Sequence, residues 1–367
     1  MSGIIDHSQR MNQENEVPFL PEEIIFQILI RLPAEFLYHC GKYVCKTWRE
    51  IIRDPRFKER HLLFSRSSVF IQESYESFDA SFIESEEGEV RVKPLERQFP
   101  GQMLASCEGV SLFYYHHCLD FLYIVNPVTK KAIIIPFPSL IHVAWIGYFR
   151  MARIPHTGEF KVLCRCKDQN VRFHWLVLTV GTNATWRRID TIPGEDSIDL
   201  EKEVCSLVSV EGVVYCATIG IAGVGRLLAI DLRDETIHNI IMPYGSFNGL
   251  IEMRKNLYCM MCTLEYFEGG GTYVMKELEI YILEDLHSSR WIKVYEIETN
   301  MEAEAIWFRG FWPVAYLDDG HMILRIPNGD KHSFVAYDLK TREITAINLG
   351  IVAPNVIVIY KSSLASW

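Results

Sequence analysis

Ten cysteines, twelve histidines and 47 carboxylates give this chain of 367 residues ample material for chemistry. Their spacing limits what they can do. Cys259-x-x-Cys262 has the spacing of half a zinc site, but no second pair follows at a suitable distance. Within Leu257–Thr263, Cys259 and Met261 alternate with Met260 and Cys262, which reads as a fully buried strand. Cys164-x-Cys166 falls in another β-rich run, and His116-His117-Cys118 where two strands should turn, as an exposed loop. Gly269-Gly270-Gly271 leads into Tyr273-Val274, a loop between strands rather than a phosphate cradle opening a helix. There is no Gly-x-Ser-x-Gly elbow, no Walker loop and no Gly-x-Gly-x-x-Gly after a strand. The acidic run ESEEGE at 84–89 reads as a solvated loop, with contact to a basic partner as the lesser alternative. The sequence therefore points to no catalytic group, metal or cofactor.

Bulk composition narrows the classes further. A net charge of −10, from 37 basic and 47 acidic side chains, opposes a protein whose main task is gripping nucleic-acid phosphates or an acidic membrane surface. Apolar residues at 49% supply a sizeable core. No apolar run approaches the ~18–20 residues that span a bilayer. The start, MSGIIDHSQRMNQENEV, has no basic region followed by a long apolar stretch, so no secretory signal is expected. The cysteines then read as reduced thiols in a cytoplasmic and/or nuclear protein, where the acceptor pattern Asn183-Ala184-Thr185 has no meaning.

The elements that position these residues fall into two kinds. Residues 1–17 are polar and aperiodic, a flexible tail. Residues 18–62 read as three short helices. Pro21 suits a first helical position, and Glu22 and Glu23 meet the positive end of the helix dipole. Ile24, Ile25, Ile28, Leu29 and Leu32 form one apolar face. Leu32-Pro33 breaks that helix, a second runs from Ala34 to Cys40, and Gly41 marks a turn. A third carries Val44, Trp48, Ile51 and Ile52 on one stripe and stops at Asp54-Pro55. Some 45 residues is small for an independent core, so the block must pack on the rest of the chain or on a partner.

From residue 66 to 367 the helical period gives way to short runs rich in Val, Ile, Tyr and Phe, separated by turn residues. A repeat selects among all-β folds. Tyr123-Ile-Val-Asn126, Leu228-Ala-Ile-Asp231 and Val335-Ala-Tyr-Asp338 each end a strand on an Asx residue that can set a tight turn. Looser copies end near 181 and 285, giving a period of about 50–55 residues, that of a four-stranded propeller blade. Six blades are expected. The sixth is composite, pairing the C-terminal NVIVIY with strands between 66 and 95. Trp186 and Trp291 follow blade turns as plugs between blades, while Trp145, Trp307 and Trp312 lie near blade starts or loops.

The helical block resembles an F-box. The matching pieces are Leu20-Pro21-x-Glu23-Ile24-Ile25, Ile28-Leu29-x-Arg31-Leu32-Pro33, Val44-Cys45-Lys46-x-Trp48 and Asp54-Pro55-x-Phe57-x-x-x-His61-Leu62, in order, with Gly41 as one extra residue between Pro33 and Val44. The rest resembles the plant F-box-associated domain, through Ser106-Cys107-x-Gly109, the Tyr123–Pro136 strand–turn–strand and the Leu–Asp–Leu turns. The resemblance implies a non-catalytic substrate-recognition subunit of an SCF-type ubiquitin ligase. It would bind a Skp-type adaptor, and through it a cullin, by the F-box residues Leu20, Pro21, Ile25, Ile28, Leu29, Leu32, Pro33, Val44 and Trp48. A target protein would be held by the propeller for ubiquitination. The alternative is a propeller enzyme or glycan-binding module with a vestigial F-box, needing an acid–base cluster, arginines or a metal at the central channel.

Overall fold

The computed structural model describes residues 20–72, 79–95, 101–115, 120–138, 148–167, 173–181, 185–189, 203–219, 226–267, 272–303, 312–328, 331–349, 356–365 and 367. The tail, His116–Cys118, Asn183, Gly269–Gly271, Trp145 and Trp307 lie outside them.

The strands form six antiparallel four-stranded sheets, as the repeat implies. Five are contiguous in sequence. The remaining one is composite: β24 (Val356–Lys361) pairs with β1 (Ser67–Gln72), which leads to β2 (Ala80–Glu86) and β3 (Glu89–Pro94). The closing register runs from Ser67 opposite Lys361 to Gln72 opposite Val356. Neighbouring sheets meet chiefly through their first strands: β24, β4 (Gln102–Cys107), β8 (Phe149–Arg153), β12 (Glu203–Val210), β16 (Ser246–Met253) and β20 (Trp312–Tyr316). These strands line a central channel.

Local chemistry explains why the chain folds this way. Two-residue turns with both residues at positive φ join strands at Glu87-Gly88, Glu108-Gly109, Glu211-Gly212 and Arg254-Lys255, the geometry whose twist suits a hairpin. The outer turns repeat a second device. The side chains of Asn126, Asp231, Asp285 and Asp338 each accept from the backbone N–H two residues on, at 2.7–3.2 Å. Four residues after each, Lys130, Glu235, Ser289 and Arg342 take φ of 53–64° and return the chain. The sequence period is thus the period of one turn chemistry.

Six apolar layers hold the ring together, one between each neighbouring pair of sheets. Trp186 and Trp291 act as the expected plugs and add a hydrogen bond each. Trp186 Nε1 donates to Pro136 O and Trp291 Nε1 to Ile241 O, both at 2.8 Å and both reaching the preceding sheet.

Among the described residues four α-helices precede the strands: α1 (Glu22–Leu29), α2 (Ala34–His39), α3 (Lys46–Arg53) and α4 (Pro55–Phe64), with a 3₁₀ turn over Gly41–Tyr43. The sequence reading stopped at three. Asp54-Pro55 does end α3, but it also starts α4: Asp54 Oδ1 accepts from Arg56 N at 2.8 Å and Pro55 takes the first helical position. Pro21 stands one place earlier than expected, as an N-cap with ψ of 146°, and Pro33, with ψ of 142°, caps α2 just before its expected start at Ala34.

The helical core is completed by the rest of the chain. Val128, from the Asn126 turn, and Leu364, from the segment after β24, are buried among Leu29, Leu37, Ile52 and Phe57. The C-terminal segment is held along its length. Asn126 Nδ2 donates to Ser363 O at 3.2 Å and to Ala365 O at 2.8 Å, Ser363 Oγ donates to Glu108 O, and Ser362 Oγ donates to Glu35.

Gly109 sits under this strap. A Cβ there would collide with Ser363 Oγ and lie 2.7 Å from Lys361 O, whereas Gly88, at a similar φ, has nothing within 4 Å. Gly88→Ala should therefore cost only about 1–2 kcal/mol, the usual left-handed penalty. Gly109→Ala should cost clearly more in urea unfolding; equal losses would show that the strap does not press on this turn.

Candidate functional site

The helical block sorts its apolar residues into two faces. Along α1, Ile25 and Leu29 point inward: Leu29 is fully buried and Ile25 half-buried against the core. Ile24 and Ile28, four residues apart on the adjoining face, stay 47 and 44% exposed, and Leu20, just before the extended N-cap Pro21, is 51% exposed. The single face read from sequence is thus two stripes, one used and one open. Leu32 and Trp48 are partly buried against the core, so they are structural in the isolated chain. Pro21, Pro33 and Val44 are exposed.

Val44 departs from the expected stripe. The 3₁₀ turn precedes it, α3 begins only at Lys46, and Cys45 caps it, its Sγ accepting from Trp48 N at 3.5 Å. Ile51 and Ile52 point inward while Val44 is 58% exposed. Gly41 interrupts no helix. It is buried where α2 meets α3, and a Cβ would lie 3.2 Å from Ile52 Cδ1. Tyr43 and Phe36, absent from the sequence-based site, are exposed on the same block at 66 and 42%.

Helix α4 was the larger omission, although its signal was present in Asp54-Pro55 and in Phe57 and His61 at i, i+4. Phe57 is buried and meets Phe26 edge-on at 5.2 Å. His61 is buried, its Nε2 2.8 Å from Leu32 O. The imidazole thus occupies a carbonyl left free where the chain leaves α1.

The channel is the place to look for chemistry. Its cavity of about 940 Å3 is walled by the six first strands, and Glu59, Arg60, Leu62 and Leu63 of α4 lie at one mouth. The carboxylates at that mouth have partners. Glu108 pairs with Arg153 at 3.2 Å, Glu211 with Lys255 at 2.8 Å and Asp318 with Lys361 at 3.5 Å, each pair joining neighbouring sheets. Arg153 also reaches Glu59 of α4 at 3.3 Å. Glu252 accepts from Lys255 N at 2.7 Å. Burial raises both Glu108 and Glu252 above the usual carboxylate range. Arg150 donates to Leu207 O at 2.9 Å and Phe149 O at 2.7 Å, and burial pulls its guanidinium down to about 10. These groups close turns and tie sheets together.

The cysteine pairs sit where the pattern predicted, in buried strands. Among the described residues no cluster of three or more His, Cys, Asp or Glu can hold a metal.

Residues 57–362 match the model of the F-box associated beta propeller domain. The chain belongs to that family. Residues 17–63 match the F-box-like model, so this F-box protein carries both parts. Its relatives in Arabidopsis thaliana include the F-box/LRR-repeat protein At2g43260, 25% identical over 92% of this chain and 80% of that one. F-box protein At1g47340 is 26% identical over 75% of this chain and 63% of its own, and F-box protein At1g47810 24% identical over 76% and 87%. The two-part architecture is consistent with an F-box substrate receptor. Among the described residues no helix is long and apolar enough to cross a membrane.

Burial pushes the thiols of Cys216 and Cys262 up to about 12 and that of Cys164 well above its ordinary value, while Cys40 and Cys45 are exposed. At pH 8 a maleimide should label Cys40 and Cys45 in the folded protein, and Cys164, Cys216 and Cys262 only after denaturation. Labelling of Cys262 in the native state, read by peptide mass, would contradict the buried-strand assignment.

Proposed function

We propose that this F-box protein is the substrate-recognition subunit of an SCF-type ubiquitin ligase, without catalytic chemistry of its own. The observation that carries the proposal is the exposed apolar surface of Ile24 and Ile28 on α1 and of Leu20 just before it, on a block whose inner stripe already has its core. An exposed apolar row flanked by Pro21, Pro33 and Val44 suits a hydrophobic partner surface, here the Skp-type adaptor and through it the cullin. Residues 18–62 serve as the F-box and 66–367 as the receptor, in a cytoplasmic and/or nuclear protein.

Chain direction supports a division of labour between the propeller's two ends. The helices sit at the end of the tight turns, against Val128, Arg153 and Leu364. The opposite end is left to the target. There the sheet of β17 (Asn256–Phe267), β18 (Thr272–Asp285) and β19 (Arg290–Ala303) outruns β16: Ser246 pairs with Cys262, yet β17 and β18 pair on to Phe267 and Thr272. Holding adaptor and target on one chain raises the effective concentration of the target near the ubiquitin carrier.

The decisive measurement is capture by purified Skp-type adaptor and cullin. Wild type should be retained. Ile24→Asp/Ile28→Asp should lose capture by about tenfold or more, since a buried unpaired charge is costly, with an unchanged melting temperature. Leu29→Ala should instead lose about 2–5 kcal/mol of stability, as buried leucines do. Failure of wild type to be captured, or full capture of the double variant, would sink the proposal.

A further inference from the structure

A second pocket lies between the helices and the propeller, away from the channel. Its cavity is about 500 Å3. The helical wall brings Lys42 from the 3₁₀ turn, Arg49 and Arg53 one turn apart on α3, and Lys58 from α4. The propeller wall brings Lys131, from the first residue of β7 (Lys131–Pro136), and Thr129 from the turn before it. Leu364 and Ile52 form an apolar patch between them.

The lining holds five cations and no carboxylate, in a protein whose acids outnumber its bases by 47 to 37. Among the described residues none of the five takes part in an ion pair. Lys42 rests 3.6 Å over the Tyr38 ring, and its backbone carbonyl accepts from Arg49 Nε at 3.1 Å, so part of the wall is fixed in place. Gathering like charges costs free energy unless a counter-charge joins them. The Lys58 ammonium feels this: burial, and then the charge of Lys131, pull it below its ordinary value. A second observation is independent of charge. Thr129 Oγ1 is buried on this wall with no hydrogen-bond partner, and such a group costs about 1–3 kcal/mol unless something satisfies it.

We infer that this pocket binds a small, multiply charged anion of the phosphate-ester or polyphosphate class, which bridges the helical block and the propeller. Arginine forks suit phosphate oxygens, and lysines add point charge around them. An acceptor oxygen would satisfy the Thr129 hydroxyl. The cavity fits a small molecule, and the net charge of −10 opposes a polynucleotide on the same surface. Because both walls contribute, the ligand would stiffen the angle between adaptor-facing and target-facing parts. The inference stands whether or not the adaptor reading does.

The test is calorimetric titration of the full chain with inorganic phosphate, pyrophosphate and tripolyphosphate at an ionic strength of about 0.15 M. One saturable site should appear, its affinity rising along that series, with a matching rise in melting temperature. Arg53→Gln/Lys131→Gln, both exposed and safe for folding, should weaken tripolyphosphate binding by at least about tenfold, a loss typical of charge-assisted contacts. Lys46→Gln, on α3 but outside the pocket, should bind as wild type. Thr129→Val should bind more weakly while the free protein melts somewhat higher, since the buried unpartnered hydroxyl is gone. No saturable binding of any anion would overturn the inference and leave the cations to an acidic protein surface. Equal weakening by Lys46→Gln would overturn it as well, by showing a general charge effect.

Discussion

The pairing of β24 with β1 is the interaction on which the rest of this molecule depends. A ring of sheets has two open ends until one sheet takes strands from both ends of the chain, and open edges invite pairing with other chains. Six residue pairs from Ser67–Lys361 to Gln72–Val356 close the ring. They also fix where the chain goes next. The residues after Lys361 emerge beside the Glu108-Gly109 turn and the Asn126 turn, and both turns hold them. Leu364 is thereby delivered into the helical core.

That delivery resolves the problem of a helical block too small to be stable alone. Val128 and Leu364 supply apolar surface that α1 to α4 lack, so ring closure and helical packing are coupled. The arrangement leaves the outer stripe of α1 free. Burying Leu20, Ile24 and Ile28 against the propeller would remove much of the apolar surface that the helical block exposes. The same junction brings Lys58 of α4 and Lys131 of β7 to one cavity, which no single element of the chain could form.

Charge is used economically around the helical end of the propeller. Ion pairs such as Glu211–Lys255 and Arg153–Glu108 link one sheet to the next, and Arg153–Glu59 links the sheets to α4. Their carboxylates stand at the channel mouth as ties between neighbouring elements. The interior relies on apolar layers between sheets, with Trp186 and Trp291 reaching back to the carbonyl of the sheet before.

The sequence by itself determined whatever rests on local chemistry. Asn126, Asp231, Asp285 and Asp338 mark the outer turns because an Asx side chain reaches the N–H two residues on, whatever surrounds it. The period of about 50 residues, the blade count and the composite closing blade followed from those marks. The boundaries of α1 and α2 were legible to within one to three residues, because Pro33 breaks any helix. Long-range packing was not legible. That Ile25 points inward while Ile24 stays open, that Trp48 faces the core and Val44 does not, and that Gly41 packs closely against Ile52 depend on where α3 and the propeller lie. Helix α4 lay between, signalled by Asp54-Pro55 yet given its purpose only by Leu32 O and Phe26. Tertiary structure decided the sites because an interface or pocket is a matter of which side chains remain uncovered, and covering is done by residues distant in the chain.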